Sequence, residues 1–168
     1  MAEDNVRKQK IEGLLQLHKR EVFVYVQTFG FDWFDAEDLT QEVFIRLWRT
    51  TTLDPETLPR YFIYRVARTV CIDHVRRNGR RKRDTALTDS LDALSNGKGP
   101  YANGLPVDET SLLNILVERL PPLEREMITL VYGTGQSIEE AAVIIGIKSR
   151  RAKLLLERAS GRLKKNRK

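Results

Sequence analysis

Between Asp84 and about Asp108 the helical recurrence of apolar residues gives out, and this interruption limits the fold more than any other feature of the chain. The breakers Ser95-Asn96-Gly97-Lys98-Gly99-Pro100 and Asn103-Gly104-Leu105-Pro106 lie within it, and aspartates at 84, 89, 92 and 108 replace the arginines that precede them. Apolar residues recur at helical spacing on both sides. The expectation is an all-α protein of two small helical domains, residues 1–83 and 109–168, joined by a flexible acidic linker over 84–108. About 25 extended residues span about 80 Å, so the two domains can sit well apart.

In the first domain, residues from about Asn5 to Phe29 read as a helix through Ile11, Leu14, Leu15, Leu17, Val22, Phe23 and Val26, with Gly30 ending it. The next helix runs from Ala36 to Arg49. Asp35 is the expected cap, Asp38 completes a weak capping box, and Thr50-Thr51-Thr52 closes the element. At 100° per residue, Leu39, Val43, Phe44, Leu47 and Trp48 fill one half of its circumference, opposite Asp38, Gln41, Glu42, Arg46 and Arg49. Ile45 falls in the middle of the polar arc. Its spacing fits either an interface hot spot with a polar rim or an ordinary exposed isoleucine.

A short connection, Thr50 to Leu58, contains Asp54-Pro55, and Pro59 places the start of a third helix near Leu58, continuing to about Asn78 or beyond. Phe62, Ile63, Val66, Ala67, Val70 and Cys71 form its core stripe. On its back, Tyr61, Tyr64, Arg65, Arg68, Ile72 and Arg76 share one arc that leads into a basic cluster with Arg77, Arg80, Arg81, Lys82 and Arg83. Aromatic rings stack unpaired bases and guanidinium groups hold phosphates, so the interleaving favours a surface for single-stranded or opening DNA. Each tyrosine taken alone fits a half-buried core edge equally well.

The net charge of +6 matters less than its distribution. A second basic run extends from Lys148 to Lys168 with Glu157 as its only acid, and two separate patches suggest two contacts with a polyanion, above all nucleic acid. Helix ends that complement their dipoles are the simpler explanation. Cys71 is the only cysteine, so an internal disulfide is excluded, and with two histidines no metal site is expected. His74 lies three residues after Cys71 but lacks a third ligand. No apolar run is long enough to span a membrane, and the expectation is a cytoplasmic protein with no cofactor and no catalytic constellation.

The second domain begins with a helical pattern over Thr110 to Leu120, and Pro121-Pro122 starts a helix through Met127, Ile128, Leu130 and Val131 that ends at Gly133-Thr134-Gly135. Ser137-Ile138-Glu139-Glu140 is a capping box for a short helix beginning at Ile138. Ala142 permits close helix approach, Gly146 supplies a sharp turn, and Ser149 is the expected cap of a basic helix from Arg150. This is the pattern of a helix-turn-helix with its second helix in a major groove. Ala152, Leu156, Ala159 and Leu163 face inward with Leu155 at their margin, leaving Arg150, Arg151, Lys153, Leu154 and Arg158 for DNA or water. Leu154 fits a thymine methyl contact, a partner contact or the core edge.

In this order the parts resemble the small alternative, extracytoplasmic-function (group four) sigma factors of bacterial RNA polymerase. The resemblance rests on Asp35 through Phe44, on Tyr64-Arg65-Val66-Ala67-Arg68 through Asp73 to Arg83, and on Leu120-Pro121-Pro122-Leu123-Glu124-Arg125 through Ser137 to Leu163. It implies an initiation factor whose helix Ala36 to Arg49 docks on the coiled-coil clamp of the largest subunit of core RNA polymerase, with Asp38, Gln41 and Glu42 at the family's contact positions; Ile45 and Arg49 join them as candidates from their place on the same polar arc. Minus-ten promoter DNA then falls to Tyr61, Tyr64, Arg65, Arg68, Arg76, Arg80 and Arg81, with the Thr50 to Leu58 loop receiving an extruded base. Minus-thirty-five duplex falls to Ser149, Arg150, Arg151, Lys153 and Arg158. An anti-sigma factor is a further implied partner. The chain departs from the family's usual tryptophan at Phe62, asparagine at Thr69, and serine and arginine at Leu154 and Leu155. The rival reading is a sigma-like DNA-binding regulator or decoy without productive polymerase engagement.

Overall fold

A computed structural model describes residues 2–50, 57–85 and 116–166. The described residues are helical wherever they are regular, in the order α1 (Ala2–Gln27), α2 (Trp33–Thr50), α3 (Arg60–Thr85), α4 (Pro122–Ile128, continuing as a π-helical turn Thr129–Gly133), α5 (Ile138–Ile145) and α6 (Ser149–Asn166). The expected linker from residue 86 onward and most of the Thr50 to Leu58 loop lie outside the described residues, whereas residues 84 and 85 continue α3.

Helices α1, α2 and α3 pack pairwise. Four of the five residues of the apolar half of α2 are buried as its spacing predicts, Leu39, Val43, Phe44 and Leu47 meeting Val22 and Val26 of α1 and Ile63, Ala67 and Val70 of α3 in one cluster, whereas Trp48 is exposed. Full burial of each such aliphatic side chain contributes about 1.5–3 kcal/mol. Leu17, expected on the core stripe of α1, is exposed instead. Gly30 closes the end of α1 with φ +83°, where a side chain is strained.

Two helix starts differ from expectation for local reasons. Helix α2 begins at Trp33, not Ala36, because the Asp32 carboxylate accepts the Asp35 amide at 2.8 Å. Asp32 is therefore the cap, and Asp35 sits in the first turn, where it complements the helix dipole. Helix α3 begins at Arg60, two residues after the expected Leu58, which turns its side chain into the core; Pro59 stands just outside and its carbonyl accepts the Phe62 amide.

In the second half the Ser137–Glu140 capping box is complete. The Glu140 amide donates to Ser137 Oγ at 3.1 Å and the Ser137 amide donates to the Glu140 carboxylate at 2.9 Å. Gly146 adopts φ +80° between α5 and α6, the turn that its spacing from Ala142 predicts. Ser149 does not cap α6: the Lys148 carbonyl accepts the Arg151 and Ala152 amides, so Ser149 is already the first helical residue. Arg125 secures the entry to α4 by donating to the carbonyls of Glu118 at 2.5 Å and Leu120 at 3.2 Å, while burial pulls its pKa below the usual value.

Helices α4, α5 and α6 form the second cluster, and it does not stand apart from the first. Helix α5 packs on α3 and the π-helical turn packs on α1, so the buried residues of both halves form one continuous core.

Candidate functional site

The outer face of α2 displays Asp38, Gln41, Ile45 and Arg49 to solvent. Ile45 is 40 % exposed and its neighbour Trp48 44 %. The two sit at the mouth of a groove of about 390 Å³ between α1 and α2, with Ile11, Leu15 and Phe44 as its apolar wall and Lys8 and Lys19 at its edge. Lys19 fastens the helices together through an ion pair of 2.5 Å with Glu37. Glu42 is half-buried and already paired: Arg46 holds it at 3.1 Å and reaches Asp73 of α3 at 2.9 Å. Of the five residues expected to meet the polymerase, four are exposed on one helix face, and Glu42 is engaged within the protein.

The candidate minus-ten residues of α3 fare differently. Arg65 and Arg76 are exposed and Tyr61 is half-buried. Arg80 and Arg81 continue the helix, but their side chains lie outside the described residues. Tyr64 is fully buried, contrary to its expected place on an open aromatic face. Its hydroxyl donates to Glu21 of α1 at 3.0 Å, and Arg60 donates to the same carboxylate. Burial, then the neighbouring Glu21 charge, push the Tyr64 hydroxyl up to about 12. Burial also acts upward on Glu21, but the hydrogen bonds from Arg60 and Tyr64 outweigh it and hold the carboxyl below its usual value.

Arg68 is occupied by the other half of the protein. Its Nε donates to Glu126 of α4 at 2.9 Å, and the hydroxyl of Tyr25 from α1 donates to the same carboxylate oxygen at 2.6 Å. Glu126 is only 5 % exposed, so its charge is compensated by a guanidinium and a hydroxyl from across the packing surface. The rings of Tyr25 and Tyr64 meet edge to face, 5.5 Å apart, directly beside this pair. Gly135 lies beside Arg60, and its φ of +70° disfavours a side chain.

Among the described residues, nothing comparable covers the candidate residues of α6. Ser149, Arg150, Arg151, Lys153 and Arg158 are all exposed on the same helix. The leucine triplet divides: Leu155 and Leu156 are each 9 % exposed and belong to the core, whereas Leu154 is 45 % exposed. Leu155, placed at the margin by spacing, is buried as deeply as Leu156.

Sequence spacing missed Tyr25, Glu21 and Glu126, because each acts across elements 43 to 101 residues apart. The one available signal was Glu126 itself, an acid next to the apolar Met127-Ile128 pair in a helix where two glutamates, Glu124 and Glu126, are buried. Cys71 and His74 do not form a ligand pair. The thiol is buried, which raises its pKa, and the imidazole packs edge-on against Phe31 and bonds to Asn78 at 2.8 Å.

Residues 14–81 match the family described as Sigma-70 region 2, and residues 115–163 match Sigma-70, region 4. The chain is 27% identical over 154 residues to the ECF RNA polymerase sigma factor SigM of Bacillus subtilis, covering 92% of this chain and 93% of that protein. It is 29% identical over 140 residues to the ECF RNA polymerase sigma factor SigE of Mycolicibacterium smegmatis, covering 82% of this chain and 53% of the relative. Among solved structures, the sigma factor RpoE in complex with the anti-sigma factor NepR from Bartonella quintana superposes with a TM-score of 0.70 at 20% identity, over 92% of this chain and 94% of that one. CnrH in complex with the cytosolic domain of CnrY superposes with a TM-score of 0.61, also at 20% identity, over 98% and 96%. Two family regions in the order of the two helical halves, together with relatives that span both, show that the chain belongs to the ECF sigma factors of the sigma-70 family.

Proposed function

We propose that the protein binds core RNA polymerase through the exposed face of α2 and directs initiation by reading promoter DNA with α3 and α6. The chain is an alternative sigma factor by family, and the initiation factors of that family are not catalysts. Among the described residues no helix is long and apolar enough to cross a membrane, and the proposed place of action is the cytoplasm, with the polymerase. No cofactor is invoked.

The observation that carries the reading is the state of the α2 face. Asp38, Gln41, Ile45 and Arg49 remain open beside an apolar groove, while Glu42 and Arg46 are tied to Asp73 and hold the helix in place. An apolar contact ringed by polar groups is the anatomy of a docking hot spot. On this reading residues 1–83 bind polymerase and minus-ten DNA, residues 84–108 link, and residues 109–168 read minus-thirty-five duplex. Ser149, Arg150, Arg151, Lys153 and Arg158 supply the duplex contacts.

The packed halves set a condition on the mechanism. Arg68 reaches DNA only after its contact with Glu126 of the other half opens, and Tyr64 only after α3 parts from Glu21 and Tyr25 of α1. Tyr61, Arg65, Arg76, Arg80 and Arg81 would meet the strand first. An anti-sigma factor, the kind of partner bound by the Bartonella quintana RpoE, would act by covering the open α2 face.

The test is reconstitution. Purified protein with bacterial core polymerase is expected to start transcripts at a defined subset of a genomic promoter library. Binding of promoter duplex without any polymerase-dependent transcript would instead support the decoy reading.

A further inference from the structure

Leu154 lies at the centre of the exposed face of α6 and, among the described residues, belongs neither to the hydrophobic cluster nor to the side chains packed against it. The neighbouring Leu155 and Leu156 turn into the core and are each 9 % exposed, whereas Leu154 is 45 % exposed. On the helical projection Arg150 and Arg158 stand about 40° to either side of it, one turn before and one turn after, with Arg151 about 60° away. Glu157 is the only acid on this face. Packing does not call for leucine here, and an alanine would serve the helix better.

We infer that Leu154 is a specificity residue, whose side chain packs against the 5-methyl group of one thymine in the minus-thirty-five duplex. The inference rests on the reading of α6 as the major-groove helix. Within that groove, thymine alone among the four bases presents a methyl group, and an apolar side chain is its natural complement. Position matters as well as polarity. Leu154 is one and a half turns into the helix that follows Gly146, within the part of a recognition helix that faces base edges. The flanking guanidiniums anchor phosphates or guanine edges on both sides and leave the leucine at the floor of the groove. A protein partner would meet the same leucine inside a ring of three arginines, which favours a polyanion over an ordinary apolar docking patch.

Deoxyuridine separates the methyl group from the rest of the base. A promoter duplex enriched from a randomised library by the full-length protein with core polymerase serves as the probe, each thymine of its minus-thirty-five element being replaced in turn by deoxyuridine. Affinity is measured with the wild-type protein and with Leu154→Ala, both assembled with core polymerase.

With wild type, one replacement is expected to weaken binding about fourfold, the change that corresponds to ~0.8 kcal/mol for one buried methyl group. With Leu154→Ala that position is expected to become indifferent to the methyl group, while the remaining thymines behave as in wild type. Equal sensitivity in both proteins, or indifference at every position in wild type, overturns the inference while leaving α6 as a duplex reader. Loss of polymerase assembly by Leu154→Ala, with no methyl effect, overturns it in favour of a protein contact. Failure of the wild-type holoenzyme to enrich any duplex defeats the underlying reading of α6 as well.

Discussion

Helices α3 and α6 carry the same kind of message in sequence, a basic surface interrupted by apolar or aromatic side chains, yet the fold treats them oppositely. On α6 the arginines and Leu154 face solvent. On α3 Tyr64 is fully buried and Arg68 is paired with Glu126 from the other half of the chain. Charge pattern therefore marks what a helix is suited to bind, and long-range partners decide whether the surface is available. On the proposed reading, the α6 face is open to duplex DNA in the packed state, whereas Arg68 on α3 is released only when Glu126 lets go. Duplex recognition would then precede strand opening, because one surface is open and part of the other is covered.

Removing Glu126 is the strongest way to break the asymmetry. Glu126→Ala leaves Arg68 without its counter-charge and Tyr25 without its acceptor, and loss of one partner of a buried pair costs about 3–5 kcal/mol. Urea denaturation is expected to show a loss of that size. Binding of a fluorescent single-stranded oligonucleotide by the full-length variant is expected to rise while duplex binding stays at the wild-type level. If single-strand binding does not change, the packing of the halves is not what limits α3.

The complementary change acts on the open helix. Arg151→Ala combined with Arg158→Ala removes two exposed cations from α6, and the slope of log affinity against log salt is expected to fall by about 2. At low salt this corresponds to a tenfold to hundredfold loss of duplex affinity, or roughly 1.4–2.8 kcal/mol. Single-strand binding through α3 is expected to change far less. A uniform loss on both probes would mean that the two basic surfaces are not distinct.

A third test asks whether the α2 face is independent of both. Gln41→Ala with Ile45→Ala trims the exposed contact without touching the Arg46 bridge to Asp73, so the fold should hold. Affinity for core polymerase, followed by fluorescence anisotropy, is expected to drop about tenfold, a loss of roughly 1.4 kcal/mol typical of a modest hot spot. Duplex binding by the same variant without polymerase should be unchanged.

Local chemistry was legible in the sequence and cross-chain chemistry was not. The Ser137–Glu140 box, the left-handed Gly146 and the buried face of Leu39, Val43, Phe44 and Leu47 on α2 follow from residues within one or two helical turns, and the structure forms each of them, with Trp48 alone of that apolar half left exposed. Ile45 stood out because an apolar side chain broke a polar arc, and it is exposed as that pattern implied. The helix starts shifted because the turn begins a few residues early, with Asp32 capping in place of Asp35 and the Lys148 carbonyl already accepting the first amides of α6. Tyr64 and Arg68 were misread as open for a different reason. Their partners Glu21 and Glu126 lie 43 and 58 residues away, and a helical projection contains no information about what another helix brings to its surface.

The smallest effect expected near neutral pH, and the cleanest check on the covered face, is alkaline. The Tyr64 hydroxyl donates to Glu21 and the Tyr25 hydroxyl to Glu126, so both contacts need the neutral phenol. Burial, with the facing carboxylates acting in the same direction, raises Tyr64 to about 12 and Tyr25 well above its usual 10.0. Because both folded values are raised, the packed state keeps these protons above pH 10.0 while the unfolded chain loses them. The contribution of the two hydroxyls is therefore fully present below pH 10.0 and is lost as pH rises through about 12 for Tyr64. Urea denaturation across this interval is expected to show stability falling as pH rises, and Tyr25→Phe with Tyr64→Phe should remove most of the pH dependence. Glu21 responds in the opposite direction: its lowered value makes its contribution fade as pH falls below the usual 4.5. An alkaline transition of the same size in a protein with phenylalanine at both tyrosine positions would place its cause outside these two hydroxyls.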